Sequence, residues 1–225
     1  MTFYVNFING FNSLKILYIR LIFRIFLYKI EDNEYNQMIE KINKIDDNFR
    51  EILRQISNVD MLEIRKKFES IEKKDYLIEY STLFLAGFGN KPLTPVESKQ
   101  IFVNLGEKIA LFKYNDIIKF YRSRGILTKL DRNFVHEIDH ISTILAFMSF
   151  LVKEEYELRR LNKNPFKTIS DEINFMTTHI MGWVPSWANN VINDSRSDIF
   201  RIVCKNLLQW INYDYNNLSR NLPKI

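Results

Sequence analysis

Residues 134–152 read FVHEIDHISTILAFMSFLV, and this stretch decides the fold. It opens with four ionisable side chains, His136, Glu137, Asp139 and His140, and runs into twelve uncharged residues, Ile141 to Val152. A run of that length is too short to cross a bilayer and suits a helix buried in a protein core. Ionisable groups at the mouth of a core helix mark the place where a site is expected. Working outward, Gly (6) and Pro (5) are scarce, and no stretch shows regularly spaced strands with turn signals. The chain therefore reads as all-α, a single bundle-like domain of about ten helices. An irregular segment over 126–136 suggests a hinge between halves spanning 11–125 and 137–217.

With 46% apolar and 14% aromatic residues, the 225-residue chain can bury a sizeable core, which excludes a disordered protein. The single cysteine, Cys204, cannot form an intramolecular disulfide, which fits a reducing, cytoplasmic setting. Its place in a helical pattern favours a buried thiol over a nucleophile. The net charge of +5 is modest and widely spread, as on a Lys-rich solvated surface, so no nucleic-acid partner is expected. In the first thirty residues, Lys15, Arg20, Arg24 and Lys29 interrupt the apolar side chains. Leu14, Leu17, Leu21, Ile25 and Tyr28 share a helical face, which predicts an amphipathic first core helix with at most transient membrane association.

Periodicity and capping residues predict helices over about 13–30, 37–57, 61–71 (capped by Asp60), 74–86, 106–123, 139–162, 166–181 and 196–217, with one more opening near Pro95 and a short one that follows the break at Trp183–Trp187 and ends at about Ile192. Gly87-Phe88-Gly89-Asn90 is a strong stop. It is followed by the only proline-dense loop, Asn90 to Pro95. Residues 173–193 lack Asp, Glu, Lys and Arg, but their Asn, Thr, His and Pro content argues against a membrane span.

His136 to His140 spells H-E-x-x-H, a zinc-hydrolase pattern. Two histidines four apart bind zinc when both sit mid-helix, with the glutamate activating water. Here Asp139 occupies a position that normally faces a packed core, and the motif falls at a helix start. Glu154 and Glu155 lie about 21 Å further along the same predicted helix, and His179 is isolated. A metallohydrolase using 136–140 remains an alternative reading, as does a helical adaptor binding nucleic acid or membrane through its basic face.

Three segments, in order, resemble the TorD/DmsD/NarJ-type chaperones. Tyr80-Ser-Thr-Leu83-Phe84 is similar to the family's aromatic-x-x-Leu-Phe. Pro95-Val96-Glu97-Ser98 is similar to its Pro-aromatic-Glu-Ser. Glu137-Ile-Asp139-His140-Ile141 is similar to its Glu-Pro-Asp-His-Leu. Tyr121-Arg-Ser-Arg-Gly125 and His179-Ile-Met-Gly-Trp183 with Trp187 add to the likeness, which covers roughly 14–215. Val96, Ile138 and Ile144 depart from the family pattern. In this reading His136 falls just upstream of the motif.

The resemblance implies a cytoplasmic, non-enzymatic, all-helical chaperone with no cofactor of its own. It would bind the twin-arginine signal peptide, and the apo form, of a molybdenum-containing oxidoreductase before export, as a monomer or domain-swapped dimer. Such a site needs carboxylates for two guanidinium groups and an apolar groove. Glu137 and Asp139 are candidates for the first, and Tyr80, Leu83, Phe84, Pro95 and Val96 for the second. Glu97, Ser98, Tyr121 and His140 complete the peptide-binding set that the resemblance implies. Their convergence is implied by the resemblance alone.

Overall fold

The structure is a computed structural model that describes residues 2–86, 91–126 and 137–220, with side chains described from residue 12. The glycine-rich stop at 87–90, all of the expected hinge but Ile126, and His136 lie outside the described residues. The described backbone forms eleven α-helices: α1 (Thr2–Ile25), α2 (Asp32–Asn43), α3 (Asp47–Ser57), α4 (Met61–Glu69), α5 (Lys73–Tyr80), α6 (Glu97–Leu105), α7 (Glu107–Ser123), α8 (Ile141–Arg160), α9 (Phe166–Met176), α10 (Val184–Asn193) and α11 (Ile199–Arg220). Two π-helical turns, Ser81–Leu85 and Thr177–Met181, extend α5 and α9. Among the described residues no helix is long and apolar enough to cross a membrane.

The fold is all-α, and α8 is its axis. Its uncharged run buries Ile141, Ile144, Leu145, Phe147, Met148, Leu151 and Val152. The first helix packs along α8, α9 covers another side, and α10 and α11 close the bundle. The segment expected as one helix over 37–57 is two. Asp46 breaks it by accepting a hydrogen bond from the Phe49 amide at 2.8 Å, which starts α3. Asp60 caps α4 as its sequence position predicts, through the Glu63 amide at 3.0 Å. The start of α11 is capped from a distance: the Glu79 carboxylate accepts the amides of Asp198, Ile199 and Phe200 at 2.8–2.9 Å.

The first helix buries Leu21 and Ile25 as its periodicity suggests, but the rest of its buried side differs from the expected face. Leu17 is 57% exposed, whereas Lys15 is 1% exposed. The Lys15 ammonium lies 2.9 Å from both Glu172 of α9 and Asp214 of α11. Glu155 of α8 is close enough to act on Lys15 electrostatically and is itself paired with Arg159 at 2.6 Å. Lys15 and Arg159 thus balance two of the three acids. The surplus falls on Glu172, whose carboxyl is pushed up to about 8 by burial, against the opposing pull of Lys15. Burial also raises Asp214.

Candidate functional site

The site grows from the junction between the proline-dense loop and the start of α8. Val96 and His140 form an antiparallel bridge. The Glu97 amide donates to the Asp139 carbonyl at 3.1 Å, and the Ile141 amide donates to the Pro95 carbonyl at 2.9 Å. Two of the three resembling segments, about forty residues apart, are therefore zipped together through their backbones.

Side chains extend the zip. Asp139 Oδ2 accepts the Ser98 amide at 2.7 Å, so Asp139 caps α6 and not α8. It is fully buried; burial raises its carboxyl and the Ser98 hydrogen bonds hold it down. His140 takes the cap of α8, its Nδ1 accepting from the Ser142 amide at 3.2 Å and lying 2.7 Å from the Ser142 hydroxyl. With Nδ1 accepting, the neutral ring carries its proton on Nε2, which faces the Tyr80 hydroxyl at 3.5 Å. The Tyr80 hydroxyl in turn donates to the Phe26 carbonyl at 3.0 Å. Both ring nitrogens thus have protein partners, so the zinc reading loses its second histidine. Among the described residues no cluster of three or more His, Cys, Asp or Glu could hold a metal.

Glu97 is buried beneath the bridge, and its Oε2 lies 2.9 Å from His179 Nδ1. His179 Nε2 faces Asp116 of α7 at 3.3 Å. The imidazole expected to be isolated therefore sits between two carboxylates, enclosed by the rings of Phe120 and Phe175 with centroids 5.5 and 5.0 Å away. Burial pushes the Glu97 carboxyl up and the His179 contact opposes it. The π-helical turn around His179 leaves carbonyls to be met from outside the helix. Thr178 accepts from Lys113 Nζ at 2.7 Å, and His179 accepts from Trp183 Nε1 at 2.7 Å. The other π-helical turn acts alike, the Leu83 carbonyl accepting the Leu93 amide at 2.7 Å. Trp187 Nε1 donates to the Leu93 carbonyl at 2.8 Å, so the proline-dense loop is pinned from both sides.

The structure places the remaining candidates as follows. Tyr80, Leu83 and Phe84 are buried core, Phe84 packing against Phe200 and Trp187 at 4.8 and 6.0 Å, and none lines an open groove in this conformation. Pro95 and Val96 are likewise buried. Tyr121 is buried and its hydroxyl donates to the Ile138 carbonyl at 3.2 Å. Only Ser98 and Glu137 keep access to solvent, and Glu137 pairs with Lys99.

An open groove does exist, on the far side of Ser98. It has a volume of about 550 Å³ between the proline-dense loop, α6 and α7, with Pro92, Phe102, Val103, Ala110, Leu111 and Tyr114 as its apolar lining. Lys91, Lys99 and Glu107 supply its charge. Phe102, Val103 and Leu111 are 55–59% exposed, and Leu105, Ile109 and Phe112 beside them are also exposed.

A family model described as nitrate reductase delta subunit matches residues 42–189, a span that runs from α2 to α10 and contains the whole zipped junction and groove. It bears on the chaperone family as a whole and does not single out the TorD or DmsD branch. No curated protein sequence matches the chain. With about two thirds of its length matched, the chain belongs to the nitrate reductase delta subunit family, whose members are chaperones of molybdoenzyme maturation.

Proposed function

We propose that this chain is a cytoplasmic chaperone that binds the twin-arginine signal peptide of a molybdenum-containing oxidoreductase and holds the client back from export while its cofactor is loaded. The observation that carries the reading is the uncovered apolar face of the α6–α7 hairpin, where Phe102, Val103 and Leu111 line an open groove. A contiguous exposed apolar surface of this kind marks an interaction site. The apolar stretch of a signal peptide would cover these side chains. Arginines preceding it would reach Glu107 and Glu137 at the rim, Glu137 exchanging its contact with Lys99 for a bidentate guanidinium. Asp139 and His140 hold the wall of the groove in place, a change from their expected role as direct contacts.

Calorimetric titration with a synthetic twin-arginine peptide tests this. Phe102→Asp and Leu111→Asp alter exposed side chains, so the fold is retained. Losing one such apolar contact corresponds to about 1.5–3 kcal/mol, or roughly tenfold or more in affinity. Unchanged affinity in both variants refutes the groove.

A further inference from the structure

A second concave site lies between α1, α2 and the start of α3, and shares no lining residue with the α6–α7 groove. Its volume is about 350 Å³. Leu17, Leu21, Ile45 and Phe49 give it an apolar floor, and Arg20, Arg24, Lys41 and Lys44 surround that floor with cations. Asp46 is the one acid in the lining, and its Oδ1 is already committed to the Phe49 amide. Lys44 pairs with Glu40 at 2.5 Å. Among the described residues no carboxylate lies within ion-pair distance of Arg20, Arg24 or Lys41; the guanidinium of Arg24 lies over the Phe23 ring at 5.6 Å. The nearby Lys29 amine is held down first by burial and then by Arg24 and Lys41, with only Glu34 opposing. On their other side, Arg20 and Arg24 edge a more open groove along α8, where Glu154 and Glu157 accompany Lys153.

Like charges gathered around an apolar hollow repel one another until an anion joins them. Three cations without acidic partners exceed what a solvated surface requires, and the hollow lies within the size range of small-ligand sites. We propose that this pocket binds a phosphate ester with an apolar body, the phosphate held by Arg20, Arg24 and Lys41 and the body resting on Leu17 and Phe49. The same chemistry is presented by a soluble aryl phosphate and by an anionic phospholipid headgroup with its first acyl carbons.

Two arms separate these sources. Full-length protein is titrated with 1-naphthyl phosphate by calorimetry, and it is co-sedimented with vesicles of phosphatidylglycerol in phosphatidylcholine. Each is done with wild type, Arg24→Gln and Lys41→Gln. Lys41 is exposed, so its variant leaves the fold intact even if Arg24→Gln does not. Saturable aryl phosphate binding that weakens about tenfold or more on removing a cation supports a soluble ligand. Vesicle binding alone, weakened in the same way and lost at high salt, supports a lipid headgroup. Binding of neither, or binding equal in wild type and Lys41→Gln, overturns the proposal. The signal-peptide titration on Phe102→Asp reads the other groove, so either reading can fail without the other.

Discussion

Replacing Glu172 by Gln should abolish a pH dependence that the buried cluster around Lys15 imposes on the whole fold. Folded Glu172 holds its proton up to about pH 8, whereas the same carboxyl at its ordinary value releases it near 4.5. Between those limits unfolding sheds a proton, so this group's contribution is full below about 4.5, falls as pH rises, and levels off above about 8. A shift of that width corresponds to of order 5 kcal/mol across the window. Gln cannot titrate, yet its amide oxygen can still accept from the Lys15 ammonium that lies 2.9 Å from Glu172 Oε2. At pH 5 the variant and wild type should therefore be nearly equal in stability, and by pH 8 the variant should be the more stable by several kcal/mol. Urea unfolding of both at pH 5, 6, 7 and 8 reads the difference directly, because titrating groups outside the cluster cancel in the comparison. Parallel profiles, or a variant that is the weaker one at pH 8, would show that Glu172 is an ionised partner of Lys15 and would refute the charge assignment. Lys15→Met acts in the opposite sense: it strips the cation from the buried Asp214 carboxylate and should cost about 3–5 kcal/mol at neutral pH.

Two further outcomes follow from the zipped junction. Asp139→Ala should cost about 1–2 kcal/mol and speed amide exchange at Ser98, because α6 loses its cap, whereas Asp139→Asn keeps an acceptor and should retain both stability and peptide affinity; failure of the Asn variant to bind peptide would return Asp139 to the role of direct contact. His179→Ala leaves Glu97 buried without its partner and should cost about 3–5 kcal/mol by denaturant unfolding, and adding Glu97→Gln should recover part of that loss, so strict additivity of the two changes would break the pairing argument.

What could be read from the chain alone was what depends on nearby residues. The uncharged run Ile141–Val152, the Asp60 cap and the buried Cys204 all came through as expected. What could not be read depended on partners far along the chain. Lys15 looked like a solvated interruption of an apolar face because nothing near it announces Glu172 and Asp214. His179 looked isolated because Glu97 and Asp116 reach it from other helices. Asp139 and His140 were expected as contacts for a peptide; in the structure their polar groups cap α6 and α8. Tyr80, Leu83 and Phe84 drew notice as a motif and turn out to be core. Nothing local separates the α7 residues that the structure buries, Ala110, Ile117 and Tyr121, from Ile109 and Phe112, which it leaves exposed.

The cap that Asp139 places on α6 has a consequence for the order in which the protein is made. Asp139 lies 41 residues after Ser98. At the pace of synthesis, about 5–20 residues per second, the start of α6 waits roughly 2–8 s for its acceptor to be added. Over that interval an exposed apolar surface is already built, and the segment that fixes its position is not. The nascent chaperone thus passes through a stage in which it resembles the clients it serves, with a sticky segment displayed and the part that restrains it still to come.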